Sequence, residues 1–261
     1  MYPVLLKIGS FELASYGLMT ALAYMAASFY LLKRLKQIHL DKDTFWNIIF
    51  IAFVAALIGS KLLYIVLSWQ ALGSSFSAKI LYALKNFRYG FVFLGGAVTA
   101  ILSLLYYLKK KNLPVLKTAD FFVVALPLGH AIGRIGCFLA GCCYGKPTSL
   151  PWGVSFTHAH TLVPSQFQGI ALHPTQLYES AANLFLFFIL QYYYKKPHKT
   201  GGVLAAYLIG YSVIRFVIEF FRGDFRGGFL WGISPSQFIS VLAVITVTTV
   251  WYFLKKDKSH G

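Results

Sequence analysis

Four short stretches of this sequence hold residue types that can do chemistry. LGHAIGRIGCFLAGCCYGKP, Leu128 to Pro147, carries His130, Arg134 and all three cysteines of the chain, Cys137, Cys142 and Cys143. LIGYSVIRFVIEFFRGD sets Tyr211, Arg215 and Glu219 at i, i+4 and i+8, on one face of a helix, with Arg222 just beyond. LHPTQLYES brings His173, Gln176, Tyr178 and Glu179. Tyr16 stands in ASYGLM near the N-terminus. An arginine keeps its charge in any protein environment and presents a planar fork of donors that matches a phosphate. Two of them, Arg134 and Arg215, on different apolar segments make a natural clamp for one.

The segments that hold these residues are apolar. Of 261 residues, 57% are hydrophobic and only 12% charged, about half the charge fraction of an ordinary soluble domain. The mean hydropathy is +0.64. The class is an all-α integral membrane protein, a single polytopic domain over 1–261. Seven transmembrane helices are predicted: Leu13 to Leu32, Phe45 to Trp69, Phe91 to Leu108, Phe121 to Cys142, Thr175 to Tyr194, Val203 to Phe221 and Ile233 to Leu254, each near the roughly 20 residues a span needs. The net charge of +16 is then a matter of membrane sidedness rather than of nucleic acid. More than half of the 24 Lys and Arg lie in the connections after spans 1, 3 and 5 and in the C-terminal tail. That puts the N-terminus outside and the C-terminus in the cytoplasm. Two outer segments are long. In 70–90, Ile80, Leu84 and Phe87 share one helical face, as in a helix lying in the interface. The stretch 144–174 has no helical period and is expected to form a structured outer loop or head. The first dozen residues are expected to pack as a short extended arm.

Ionisable residues inside a span are costly, so each asks for a reason. Arg215 and Glu219 at i, i+4 can equally form a structural ion pair. His130 can be a bundle histidine bonded to a carbonyl, and Thr175 after Pro174 can cap its helix. Gly129, Gly133 and Gly136 let another helix or a lipid backbone come close to Arg134.

Taken together, these motifs resemble the prolipoprotein diacylglyceryl transferase family. ASYGLM is similar to the family's W-Y-G-L-M, GRIG from Gly133 to the opening of its G-R-x-G-N-F-x-N-x-E-x-x-G signature, HPTQLYE from His173 to H-P-S-Q-L-Y-E, and GYSVIRFVIEFFR from Gly210 to G-Y-x-x-x-R-x-x-x-E-x-x-R. The resemblance covers the whole chain. It implies a transferase of the bacterial plasma membrane working at the outer leaflet. There the lipobox cysteine of a secreted prolipoprotein takes the diacylglyceryl group of phosphatidylglycerol and glycerol phosphate leaves. It also implies that Arg134 and Arg215 hold the phosphoglycerol head, and that Tyr16, Tyr211 and Glu219 line the site. Gly145 matches the last glycine of the signature. Arg222, His173, Gln176, Tyr178, Glu179 and Gly133 fall in or beside the matched motifs as substrate-binding candidates.

The departures are specific. Cys137, Ala140 and Cys142 stand where the signature has Asn, Asn and Glu. The family's H-G-G in span 3 is here Leu94, Gly95 and Gly96, so a histidine is missing there and His130 has appeared one turn before Arg134. His130 is the candidate to take over the base role or to bind substrate. The cysteines have three readings: small packing residues; reactive thiols or a redox pair, Cys137 to Cys142 before the adjacent two; or a zinc site of Cys142 and Cys143 with His158 and His160, in a spacing that matches no common pattern. No motif calls for a cofactor or a resident metal. The alternatives to the family reaction are a diverged enzyme with another acceptor and a phospholipid-binding protein without turnover.

Overall fold

The computed structural model describes residues 2–9, 11–70, 75, 77, 90–158, 160–224 and 233–256. Ile80, Leu84 and Phe87, the face of the expected interfacial helix, lie outside the described residues. The elements run β1 (Val4–Ile8), β2 (Phe11–Ala14), α1 (Ser15–Leu32), α2 (Lys42–Leu67), α3 (Phe93–Lys110), α4 (Val115–Val123), α5 (Leu126–Ala140), β3 (Val154–Ser155), β4 (Ala171–Leu172), α6 (Thr175–Lys195), α7 (Gly202–Glu219) and α8 (Pro235–Lys256). The protein is mostly helical. By length and composition α1, α2, α7 and α8 are each able to cross a membrane, and the pair α4 and α5 makes a fifth if counted as one span. Helices α3 and α6 occupy two further expected spans. Lys109 and Lys110 end α3, and Gln176, Glu179 and Asn183 enter α6, which lowers their hydropathy. Large apolar side chains such as Phe50, Phe93 and Phe185 point outward, 65%, 84% and 68% exposed, as lipid-facing residues do.

The N-terminal arm is an antiparallel hairpin in which Ile8 pairs with Phe11, and Gly9 takes a positive φ at its turn. Ser15 ties the hairpin to the start of α1, its amide and hydroxyl both donating to the Pro3 carbonyl at 2.9 and 3.2 Å. Helix α2 starts at Asp41, whose carboxylate accepts the Thr44 amide at 2.7 Å. Those hydrogen bonds hold its carboxyl below the usual carboxylate range.

The continuous helix expected from Phe121 to Cys142 is broken. Helix α4 ends at Val123, α5 begins at Leu126, and the two meet at a 40° bend. Pro127 is the cause: it has no N–H for the Val123 carbonyl, and its ring crowds the preceding turn. It suits the first turn of the new helix, where an N–H has no partner to lose.

The chain divides into two compact units, one of Met1–Lys33 with Ala119–Gly261 and one of Arg34–Thr118. In the first, α5 packs between α1 and α6, and α7 packs on α6 and α8. A Cβ at Gly136 would sit 2.9 Å from the Met19 Cβ, so the absence of a side chain sets how closely α1 meets α5. Val123, Val124, Leu186, Phe187, Leu190 and Val203 form its apolar core. The 144–174 stretch builds a small head around Tyr144, Phe156, Val163 and Leu172, closed by the β3–β4 pair. In the second unit α2 packs on α3.

Candidate active site

The broken helix delivers three elements to one place. Bending at Pro127 leaves α5 to carry His130, Arg134 and Cys137 on successive turns. The start of α6 supplies Glu179, and the segment after α7 supplies Arg222. Glu179, 1% exposed, is the centre of the cluster. Its Oε1 accepts from Arg134 Nη2 at 2.7 Å and lies 3.4 Å from His130 Nε2. Its Oε2 lies 3.7 Å from Arg222 Nη1. Arg222 is also held by both oxygens of Asp224, at 2.9 and 2.7 Å. Arg215 pairs with Glu219 at 2.5 Å, the i, i+4 bridge that the spacing allowed, and donates to Ser236 Oγ at 3.0 Å.

Arg134 Nε also lies 3.2 Å from His130 Nε2. A guanidinium has only donors, so this Nε2 accepts, carries no proton and does not donate to Glu179. His130 is the neutral tautomer protonated on Nδ1, and its ring lies 5.3 Å from that of Tyr211. Tyr211 is within electrostatic reach of Glu179, Arg134, Arg215 and Arg222 together, so the four charges converge around it.

Two buried guanidinium nitrogens keep a donor without a hydrogen bond, Arg222 Nη1 being in ion-pair range of Glu179 Oε2 only. Arg215 Nη1 and Arg222 Nη1 make no hydrogen bond among the described residues. A buried charged donor without an acceptor is costly, and an incoming oxyanion would supply one.

Most of the other expected residues have partners of their own. Gly133 faces open space, whereas Gly129 lies against the Ala23 carbonyl of α1. Gly145 threads between His173 and Phe221: its amide donates to the His173 carbonyl at 3.0 Å, and a Cβ there would strike His173 and the Phe221 carbonyl. His173 Nδ1 meets the Tyr178 hydroxyl at 3.2 Å, and that hydroxyl accepts from Trp152 Nε1 at 2.8 Å. Trp152 carried no signal in the sequence. Gln176 Nε2 donates to the Cys142 carbonyl at 2.7 Å. Thr175, expected as a possible cap, makes no capping bond; its hydroxyl donates instead to the Cys143 carbonyl at 2.8 Å. Tyr16 is half exposed and within electrostatic reach of all three cysteines. Gly95 and Gly96 belong to the second unit, where they let α3 close onto Gly59, Ala56 and Ser60 of α2.

The cysteines form no disulfide. Their sulfurs all lie within 4.8 Å of one another, and among the described residues His158 and His160 are not part of the group. The reason lies in the end of α5. Gly141 adopts the left-handed conformation, with φ of 78°. Its amide donates to Phe138, and the Cys142 amide donates to Cys137 at 3.1 Å. That pair of bonds is a Schellman cap, which sets the third-last helical side chain against the second one past the end. Here those two are Cys137 and Cys142. Cys143 follows with a φ of 60°, unusual for a non-glycine residue. Hydrogen bonds from the other two thiols, helped by Arg134 and Arg222, hold the Cys143 thiol below its ordinary range.

Residues 3–253 match the model of the prolipoprotein diacylglyceryl transferase family. A phosphatidylglycerol–prolipoprotein diacylglyceryl transferase of Clostridium tetani is 41% identical over 245 residues, covering 94% of each chain. A second such transferase, of Clostridium perfringens, is 35% identical over 93% of this chain and 91% of its own. One from Clostridioides difficile is 32% identical over 94% and 92%. With its apolar helices and its cluster of buried arginines, this multi-pass membrane protein belongs to the prolipoprotein diacylglyceryl transferase family.

Proposed function

We propose that the protein transfers the diacylglyceryl group of phosphatidylglycerol to the lipobox cysteine thiol in the signal peptides of secreted prolipoproteins, with release of glycerol phosphate. Relatives of near-equal length bear this activity in their names. The structural observation that supports it is the pair of donors without a hydrogen bond on Arg215 and Arg222, set beside the Arg134–Glu179 bridge. In this reading the phosphate of the lipid takes up Arg215 Nη1 and Arg222 Nη1. Arg134 stays tied to Glu179 and His130 and fixes the positive field. As the carbon–oxygen bond breaks, charge grows on the leaving phosphate, and preorganised donors stabilise it without reorganisation. The open face of Gly133 leaves room for the glycerol backbone. Tyr16, Tyr211 and Glu219 line the site. His173, Gln176, Tyr178 and Gly145 hold the loop behind it. Gly95 and Gly96 are substrate-binding candidates through the family motif alone. His130 acts through its lone pair, as the acceptor that orients Arg134.

The chain crosses the bacterial plasma membrane seven times, with the N-terminus outside and the site at the outer leaflet. The distribution of basic residues and the seven helical stretches support that topology.

The test uses purified protein, phosphatidylglycerol and a lipobox peptide, with mass spectrometry of both products. The expected result is a diacylglyceryl peptide and glycerol phosphate in equal amounts, both lost in Arg134→Ala. Glycerol phosphate without the peptide adduct would assign another acceptor. A bound lipid with neither product would make this a binding protein.

A further inference from the structure

The thiols of Cys137, Cys142 and Cys143 have no role in the phosphate site proposed above, although two of its arginines reach them. Three features form their cluster. The Schellman cap brings Cys137 and Cys142 together, and the left-handed Cys143 returns its sulfur to them. The side chains of Gln176 and Thr175 pin the carbonyls of Cys142 and Cys143 from α6. Arg134 Nη1 lies 3.8 Å from Cys137 Sγ, and Arg222 reaches Cys143. All three ligand atoms lie within 4.8 Å of one another. Three thiolates around one zinc-like ion, with bonds of about 2.3 Å, stand roughly 4 Å apart. The cluster therefore needs to contract by less than about 1 Å. Cys137 is buried, while Cys142 and Cys143 are partly exposed.

We infer that Cys137, Cys142 and Cys143 bind one divalent d10 metal ion of the zinc class, whose fourth position takes the thiol of the acceptor peptide. The chemistry matches in three ways. Soft thiolate ligands select zinc over hard cations. A divalent ion with three thiolates carries one net negative charge, which Arg134 and Arg222 face. Three protein ligands with one open position are the pattern of a working rather than a structural zinc site. The acceptor also needs such help: His130, the imidazole of the site, has its Nε2 lone pair engaged by Arg134.

The role in turnover rests on the reaction proposed above. On entering the fourth position the peptide thiol gives up its proton to solvent. Its sulfur then attacks the glycerol methylene that carries the phosphate. A carbon–sulfur bond forms, the carbon–oxygen bond breaks, and glycerol phosphate leaves with that bond's electron pair. The thioether product is a poorer ligand than the thiolate and departs. No electrons enter or leave.

The experiment uses the full chain in detergent. Zinc content is measured by mass spectrometry, and the cobalt-substituted protein is examined for sulfur-to-cobalt absorption. One zinc per chain and a strong thiolate band are expected. C137S, C142S and C143S should each weaken metal binding by at least about tenfold. A lipobox peptide should shift the cobalt visible bands, and the same peptide with serine for cysteine should not. Removing the metal should lower transfer at least about tenfold, with restoration by zinc. The wild-type cobalt spectrum needs no variant, so a misfolded variant cannot obscure the result. Absence of a thiolate band, or zinc retained when all three cysteines are serine, would overturn the site. Transfer that proceeds unchanged without metal would overturn its role while leaving the proposed reaction standing. Metal bound by the thiols and shifted by the cysteine peptide, but no transfer, would uphold the site and defeat the reaction instead.

Discussion

Glu179 looked in the sequence like one polar residue among several at the entrance of a span, and the structure makes it the hub of a buried charge cluster. Removing one partner from such a cluster leaves charges uncompensated in a low-dielectric place. Glu179→Gln should therefore destabilise the protein by about 3–5 kcal/mol, read as a fall in thermal midpoint in detergent. Arg215→Ala should lower kcat/KM by about 100-fold or more while the helical circular dichroism is kept, since it deletes one donor to the leaving phosphate. His130 separates two roles. As the acceptor for Arg134 Nε, it can be replaced by glutamine, whose side-chain oxygen also accepts. His130→Gln should keep turnover within a few-fold, and His130→Leu should lose most of it. A large loss in His130→Gln, with a changed pH profile, would instead give the imidazole a proton-transfer role. The partners of Glu179 were out of reach of spacing alone, because i, i+4 logic names neighbours on one helix. The Arg134–Glu179 bridge joins residues 45 apart.

The elements were largely legible. Helices lie within each of the seven apolar segments, because runs of about 20 apolar residues can satisfy their backbone in lipid only as helices. What hydropathy could not show was the break in the fourth. Leu, Val and Ala around Pro127 keep the average apolar while the missing N–H ends the helix. Asp120 was also missed. Only 2% exposed, its carboxylate accepts the amides of Gly201 and Leu204 at 2.6 and 2.8 Å and so caps α7 from 81 residues away. Asp120→Ala should cost about 2 kcal/mol and should speed amide exchange in the first turn of α7 before other helices respond. Gly141 had a readable meaning: a glycine after a helical stretch signals a left-handed cap. That cap puts residues five apart, here Cys137 and Cys142, side by side.

For the molecule in its membrane, the expected topology gives a direct test. A fluorescent protein fused after the last helix should glow, and alkaline phosphatase fused there should stay inactive; the reverse pattern would invert the proposed orientation. Composition, the charge bias of the loops and four motifs were enough to mark a polytopic helical membrane protein and its family resemblance. These are local or additive properties: hydropathy sums along the chain, and motif residues keep their spacing wherever they fold. Which arginine is already spent on a carboxylate, and which one still has a donor to offer, depend on contacts between segments remote in sequence, whereas the three cysteine sulfurs come within 4.8 Å through the local cap at Gly141. The remote contacts are set by how α5 bends at Pro127 and ends at Gly141, and by what α6 and the segment after α7 then place against it.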